Sequence, residues 1–280
     1  MHSCRSSIGV IALAASWWMS PAVAQVFDFG KYPDLKGQWV RIGSPRWDTS
    51  KPPLAQEAPL TPEYQAIFDA GQADMAAGGQ GTNPTSTCLA PGMPRSMNVY
   101  HPMEIVIAPD TVHILIDHTH DFRRIYTDGR DWPKDEEPSF GGYSIGKWID
   151  TDGDGRYDLL EVETRGFKGP RTFDSTGIPL HKDNQTIVKE RIHLDKVDRS
   201  LLYDEITTID HALTRPWTVT KKFRHDPSPR PVWTENVCGE GNNHVVIDKQ
   251  DYMLGADGLL MPAKKNQAPP DLRYFKQTQK

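Results

Sequence analysis

The chain has 280 residues, with 32 Lys and Arg against 37 Asp and Glu, a net charge of −5. No basic run occurs, which excludes the electrostatic footprint of a nucleic-acid binder. With 22 Gly, 23 Pro and no long period-3.6 apolar pattern, the composition points to a β-rich single domain with one core rather than a helical bundle.

The opening segment MHSCRSSIGVIALAASWWMSPAVAQ joins a basic Arg5, an apolar run over 8–19 and an Ala22-Val23-Ala24 cleavage signal. It reads as a secretory signal peptide cut after Ala24, so the expected location is periplasmic or secreted. That run is too short to span a bilayer and no later stretch is long enough, so no membrane span is expected. Cys4 is removed with the signal. Cys88 and Cys238 remain, and in an oxidising compartment such a pair is most simply a disulfide.

Next, "FDFGKYPDLKGQWVRI" carries Gly37-x-Trp39 at the head of a short strand, Gly37–Ile42. A proline-rich loop follows. "TPEYQAIFDAGQADMAAG" is the one credible helix, with Thr61 as N-cap, Pro62 at N1, and Tyr64, Ile67 and Phe68 on one face. A second loop carries Cys88. From Met103 the pattern changes to short strands broken by turns: MEIVIA, TVHILIDH, FRRIYT, YSIGKWI, YDLLEVET, TIVKERIHL, LLYDEITTI and WTVTKKF. Since no helix separates them, parallel neighbours are not expected. The predicted architecture is all-β, an antiparallel up-and-down barrel with one short N-terminal helix and a C-terminal strap, because closure removes exposed edges. The expected organisation is signal 1–24, N-terminal strand, loops and helix 25–98, barrel 99–261 and tail 262–280.

The segments "FRRIYTDGRDWP", "GGYSIGKW", "LLEVETRGF", "ERIHLDK", "TRPWTVTKKF" and "CGEGNN" are similar, in order and spacing, to a group of exported bacterial β-barrel proteins. The core of that group reads approximately RRIY-x-DGR, G-x-SIG-x-W and V-x-T-x-GF. The Gly37-x-Trp39 start also resembles that of lipocalins, so the likeness implies a calycin-like barrel around a small ligand. It implies no particular reaction.

"DTDGDGRYDLLE" places Asp150, Asp152, Asp154, Arg156 (through its carbonyl), Asp158 and Glu161 at the oxygen-donor positions of a calcium loop, with Gly155 at the sharp turn. Strands rather than helices flank it. Structural calcium is one reading and a solvated aspartate turn the other; neither names a reaction.

Alternation along the strands selects inward polar groups. His118 and His120 continue the face of Val112, Ile114 and Ile116 if that strand persists. They read as a general base with a ligand contact, as an H-x-H metal pair needing a third ligand, or as rim residues. Glu190 shares a face with Val188, Ile192 and Leu194 and needs an arginine, Arg123 or Arg124, or a raised pKa. No nucleophile elbow, phosphate loop or dinucleotide fingerprint occurs. The expected chemistry is therefore proton transfer without an organic cofactor, a lyase or isomerase on a small hydrophobic or aromatic molecule; the alternative is a non-catalytic carrier. The catalytic candidates are His118, Glu190, Arg124 and Tyr126, with ligand contacts from His120, Arg123, Asp128, Asp174 and Trp148.

Overall fold

The structure, a computed structural model, describes residues 27–50, 57–98, 100–117, 121–234, 237–238, 243–248, 250–255 and 257–270. The signal segment, His118 and His120 lie outside the described residues.

Nine strands form the body: β1 (Gln38–Ile42), β2 (Met103–Ala108), β3 (Thr111–Ile116), β4 (Asp121–Tyr126), β5 (Tyr143–Ile149), β6 (Leu159–Arg165), β7 (Ile187–Leu194), β8 (Leu201–Ile209) and β9 (Trp217–His225). They close in sequence order into a barrel, β9 pairing back onto β1. These are the strands expected from the sequence, shifted at their ends by one or two residues. The tight β2–β3 hairpin turns at Pro109-Asp110, with Ala108 opposite Thr111.

One pairing departs from expectation. β4 and β5 run parallel, through Ile125 opposite Ser144 and Tyr126 opposite Ile145. A parallel return needs about a dozen residues rather than a helix as such. The irregular connection 127–142 supplies that length without one. Because the register covers two pairs only, the strands part on the side of Phe122–Arg124 and Gly141–Tyr143, which opens the barrel wall.

The pleat sorts side chains by parity. Val112, Ile114 and Ile116 of β3 are buried, as are Val188, Glu190, Ile192 and Leu194 of β7. Leu202, Asp204, Ile206 and Thr208 of β8 follow, with Trp217, Val219, Lys221 and Phe223 of β9. Four of these rows thus supply the wall, and two carboxylates and a lysine sit within them. One barrel end is plugged by Trp47, Phe173 and Trp217, with ring centroids 5.0–6.3 Å apart.

The helix α1 (Pro62–Ala76) starts where the cap predicts, the Thr61 side chain accepting from the Tyr64 N–H. Its packing face is narrower than expected: Tyr64 is buried and Phe68 packs on the core, but Ile67 is exposed. A three-stranded antiparallel sheet, β10 (His244–Ile247), β11 (Gln250–Leu254) and β12 (Leu260–Pro262), lies outside the barrel. The barrel therefore ends at His225, short of the expected 261. The residues after β12 dock on α1: the Lys265 N–H donates to the Ala77 carbonyl at 3.1 Å, and Lys264 pairs with Asp74 at 2.6 Å. Cys88 and Cys238 are disulfide-bonded, with Cα atoms 5.6 Å apart. Among the described residues no helix is long and apolar enough to cross a membrane.

Candidate functional site

Inside the barrel, β4, β7, β8 and β9 each contribute one charged group. Arg123 donates from Nη1 to Glu190 Oε1 at 2.8 Å and from Nη2 to Oε2 at 2.6 Å, a bidentate pair with side chains 3% and 0% exposed. Bidentate geometry is the strongest form of this contact, yet the pair must recover a desolvation cost of several kcal/mol per ion. Of the two arginines, Arg123 turns inward and Arg124 is exposed. Strand parity thus puts Arg123, and not Arg124, inside the barrel.

Asp204 stands beside Glu190 and is fully buried. Burial pushes its carboxyl well above the usual range, and the Glu190 charge adds to the rise, against the opposing pull of Arg123 and Lys221. The protonated Asp204 carboxyl hydrogen-bonds the Glu190 side chain, whereas the buried Nε of Arg123 has no partner. Lys221 completes the group from the β9 side. Its Nζ donates to the carbonyls of Arg46 (3.2 Å) and Trp47 and to Asn98 Oδ1 (3.0 Å), and lies 4.3 Å from the Trp47 ring centroid. Burial, with a lesser push from Arg41, lowers its pKa to about 7.

A cavity of about 240 Å³ opens where β4 and β5 part. Outward residues Phe122 and Arg124 line it together with inward Arg123, Ser144 and Ser96, so the cleft enters the wall instead of lying on it. Gly92 and Gly142 let backbone close around it. Both have positive φ, and a Cβ at Gly92 would meet the Phe140 carbonyl at 2.6 Å. Tyr126 and Tyr143 stack at 4.9 Å as one aromatic wall, and Arg130 lies 3.7 Å over Tyr126. Asp128 does not line the cleft; it holds Arg130 through contacts of 2.6–3.0 Å.

The remaining expected contacts lie elsewhere. Asp174 accepts from the Trp47 N–H at 2.8 Å, the Thr176 N–H at 2.8 Å and the Thr176 hydroxyl, which makes it an anchor for the end plug. Trp148 packs against Tyr32 at 5.3 Å and Tyr157 at 6.3 Å, under the N-terminal segment. His118 and His120 lie outside the described residues. Asp204 and Lys221 were not singled out from the sequence, although the alternation that marks Glu190 marks both.

In the aspartate loop, carboxylate oxygens of Asp150, Asp152 and Asp154 lie within 4.8 Å of one another. Asp150 also accepts from the Gly153 and Gly155 N–H groups at 2.7 and 2.9 Å. Asp158 turns to the Thr151 N–H (2.8 Å) and hydroxyl, and Glu161 pairs with Arg191 at 3.7 Å on the outer barrel face. Half of the expected ligand set converges. Arg156 lines a separate groove against Phe29–Gly37.

Compared with known proteins, the chain matches no family model and no curated protein.

Proposed function

We propose that this chain is an exported, cofactor-independent lyase or isomerase. Its substrate is a small aromatic or apolar molecule with an anionic oxygen, held in the cleft between β4 and β5. The supporting observation is the buried Nε of Arg123, which has no partner although Arg123 lines the cleft, with the Glu190–Asp204 pair behind it. Leaving such a donor unsatisfied costs about 1–3 kcal/mol, which favours a ligand whose oxygen completes it.

In this reading Glu190, ionised against Arg123, takes the proton; Asp204, held protonated, returns it; and Arg123 stabilises the developing oxyanion through its spare edge. Asp204 with its raised carboxyl, beside Glu190 paired to Arg123, offers one group to donate a proton and one to accept it. Tyr126 and Tyr143 would stack on an aromatic substrate. The carrier reading is less favoured, because Trp39, Met97, Met103 and Phe223 are buried in the same core cluster as the plug residues Trp47 and Phe173.

Export is supported by the disulfide, by the signal-like opening segment and by the likeness to exported bacterial barrels. Asp150, Asp152 and Asp154 would carry a weak structural calcium site, with Kd on the order of 10⁻⁴–10⁻³ M. The catalytic reading is tested by screening small aromatic carboxylates and enolisable ketones for binding and turnover by wild type and Glu190→Gln. Binding kept and turnover lost supports it; a bound compound turned over equally by both proteins rules it out.

A further inference from the structure

A second group of ligating side chains lies at the barrel end where β7 begins and β8 finishes, outside the acid–base site. Nδ1 of His181 is 2.8 Å from Oδ1 of Asp183, and Nδ1 of His211 is 2.6 Å from Oδ2 of the same carboxylate. These donor atoms all lie within 4.8 Å of one another. The side chains are 21%, 32% and 68% exposed for His181, Asp183 and His211, so solvent reaches the cluster.

The backbone carrying them is held by bonds that do not use these donors. The His181 N–H donates to Asp210 Oδ1 at 2.8 Å, the Lys182 N–H to the Tyr64 hydroxyl at 3.0 Å, and the Thr186 hydroxyl to Asp210 Oδ2 at 2.6 Å. The His181 ring packs against Tyr64 at 4.9 Å. Two loops are thereby fixed so that an H-x-D pair from one meets a histidine from the other.

Hydrogen bonding alone leaves a conflict at His181. Its Nδ1 accepts from the Asp183 N–H at 3.1 Å while facing Asp183 Oδ1 at 2.8 Å. A proton on Nδ1 satisfies the carboxylate and leaves the Asp183 N–H without this acceptor; a lone pair there does the reverse and faces an anionic oxygen. A cation between nitrogen and oxygen suits the second arrangement.

We propose that His181, Asp183 and His211 form a binding site for a zinc-type divalent transition-metal ion, held by the two Nδ1 atoms and the carboxylate. Two imidazoles and one carboxylate suit such ions, whereas the all-oxygen Asp150–Asp154 loop suits calcium. Bonds of about 2.0–2.2 Å put tetrahedral donors roughly 3.3 Å apart, so these side chains separate by about half an ångström to admit the ion. Three protein ligands leave a coordination position for water at the surface. The ion would cross-link the loop before β7 to the turn after β8.

The test uses the mature full-length chain, made without a histidine tag and stripped with a chelator, titrated with Zn2+ against a chromophoric indicator. The expected result is one tight equivalent, retained by Asp152→Asn/Asp154→Asn and lost in His211→Ala, a variant at a side chain 68% exposed. Histidine ¹⁵N NMR of wild type should show the Nδ1 resonances of His181 and His211 moving together on saturation. No stoichiometric zinc in wild type, or equal binding by His211→Ala, overturns the site.

Discussion

Replacing Arg123 by Met is the most informative perturbation of the barrel interior. Arg123 and Glu190 have side chains 3% and 0% exposed and meet through two hydrogen bonds of 2.8 and 2.6 Å. Arg123→Met leaves Glu190 and Asp204 side by side with no guanidinium, while Lys221 stays committed to Arg46, Trp47 and Asn98. Removing one partner of a buried pair costs about 3–5 kcal/mol. Glu190→Gln should cost less, about 1–3 kcal/mol, because Asp204 is free to ionise and take over the cation. Arg123→Met/Glu190→Leu removes both charges and should return to within about 1 kcal/mol of wild type, with Asp204 protonated on its own. The assay is urea unfolding of the mature oxidised protein at pH 7, comparing midpoints at constant slope. If Arg123→Met unfolds within about 1 kcal/mol of wild type, or if Glu190→Gln costs as much as Arg123→Met, the assignment of Asp204 as a protonated reserve carboxylate fails.

Lys221 has its pKa lowered to about 7 by burial, so between about pH 7 and its ordinary value near 10.5 the unfolded chain binds more protons. Stability should therefore rise with pH across that window, and Lys221→Met should abolish the rise in urea midpoints. Asp204 has the opposite sign: its raised carboxyl gives stability that is complete below about pH 3.9 and lost as pH climbs through the folded value, so Asp204→Asn should flatten that decline. Replacing both Cys88 and Cys238 by Ser opens a link between residues 150 apart, and should lower stability by about 5 kcal/mol in the chain-entropy model, read from the same midpoints. Millimolar calcium should raise the melting temperature of wild type, and Asp152→Asn/Asp154→Asn should remove that rise.

Period-2 alternation carried most of the barrel, because it reports which residues face a core irrespective of how strands connect. It placed Val112, Ile114, Ile116 and Glu190 inward, as found. The same rule applied to LLYDEITTI and WTVTKKF marks Asp204 and Lys221; in each a charged residue, Glu205 or Lys222, follows on the opposite face, so charge alone does not show which of the two is inward. Choosing Arg123 over Arg124 needed the strand's phase, and alternating burial in F-R-R-I-Y supplies it only when Ile125 is known to be buried. The parallel β4–β5 pair was illegible, since direction there depends on where the 127–142 connection returns, and the cleft owes its existence to that direction. The His181–Asp183–His211 cluster was equally hidden: irregular loops have no period, and residues 28 apart meet only through the β7–β8 pairing.

Solvent-deuterium incorporation tests the central claim most directly. Small aromatic carboxylates and ketones with an acidic C–H are incubated in D2O with wild type, Glu190→Gln and Asp204→Asn, and their masses are followed. A carboxylate pair that removes and returns protons should introduce deuterium at one carbon of at least one compound that binds the cleft. Wild type should do so, Glu190→Gln should not, and Asp204→Asn should be slowed. Exchange that is absent with compounds shown to bind, or that persists unchanged in Glu190→Gln, would contradict acid–base catalysis by this pair.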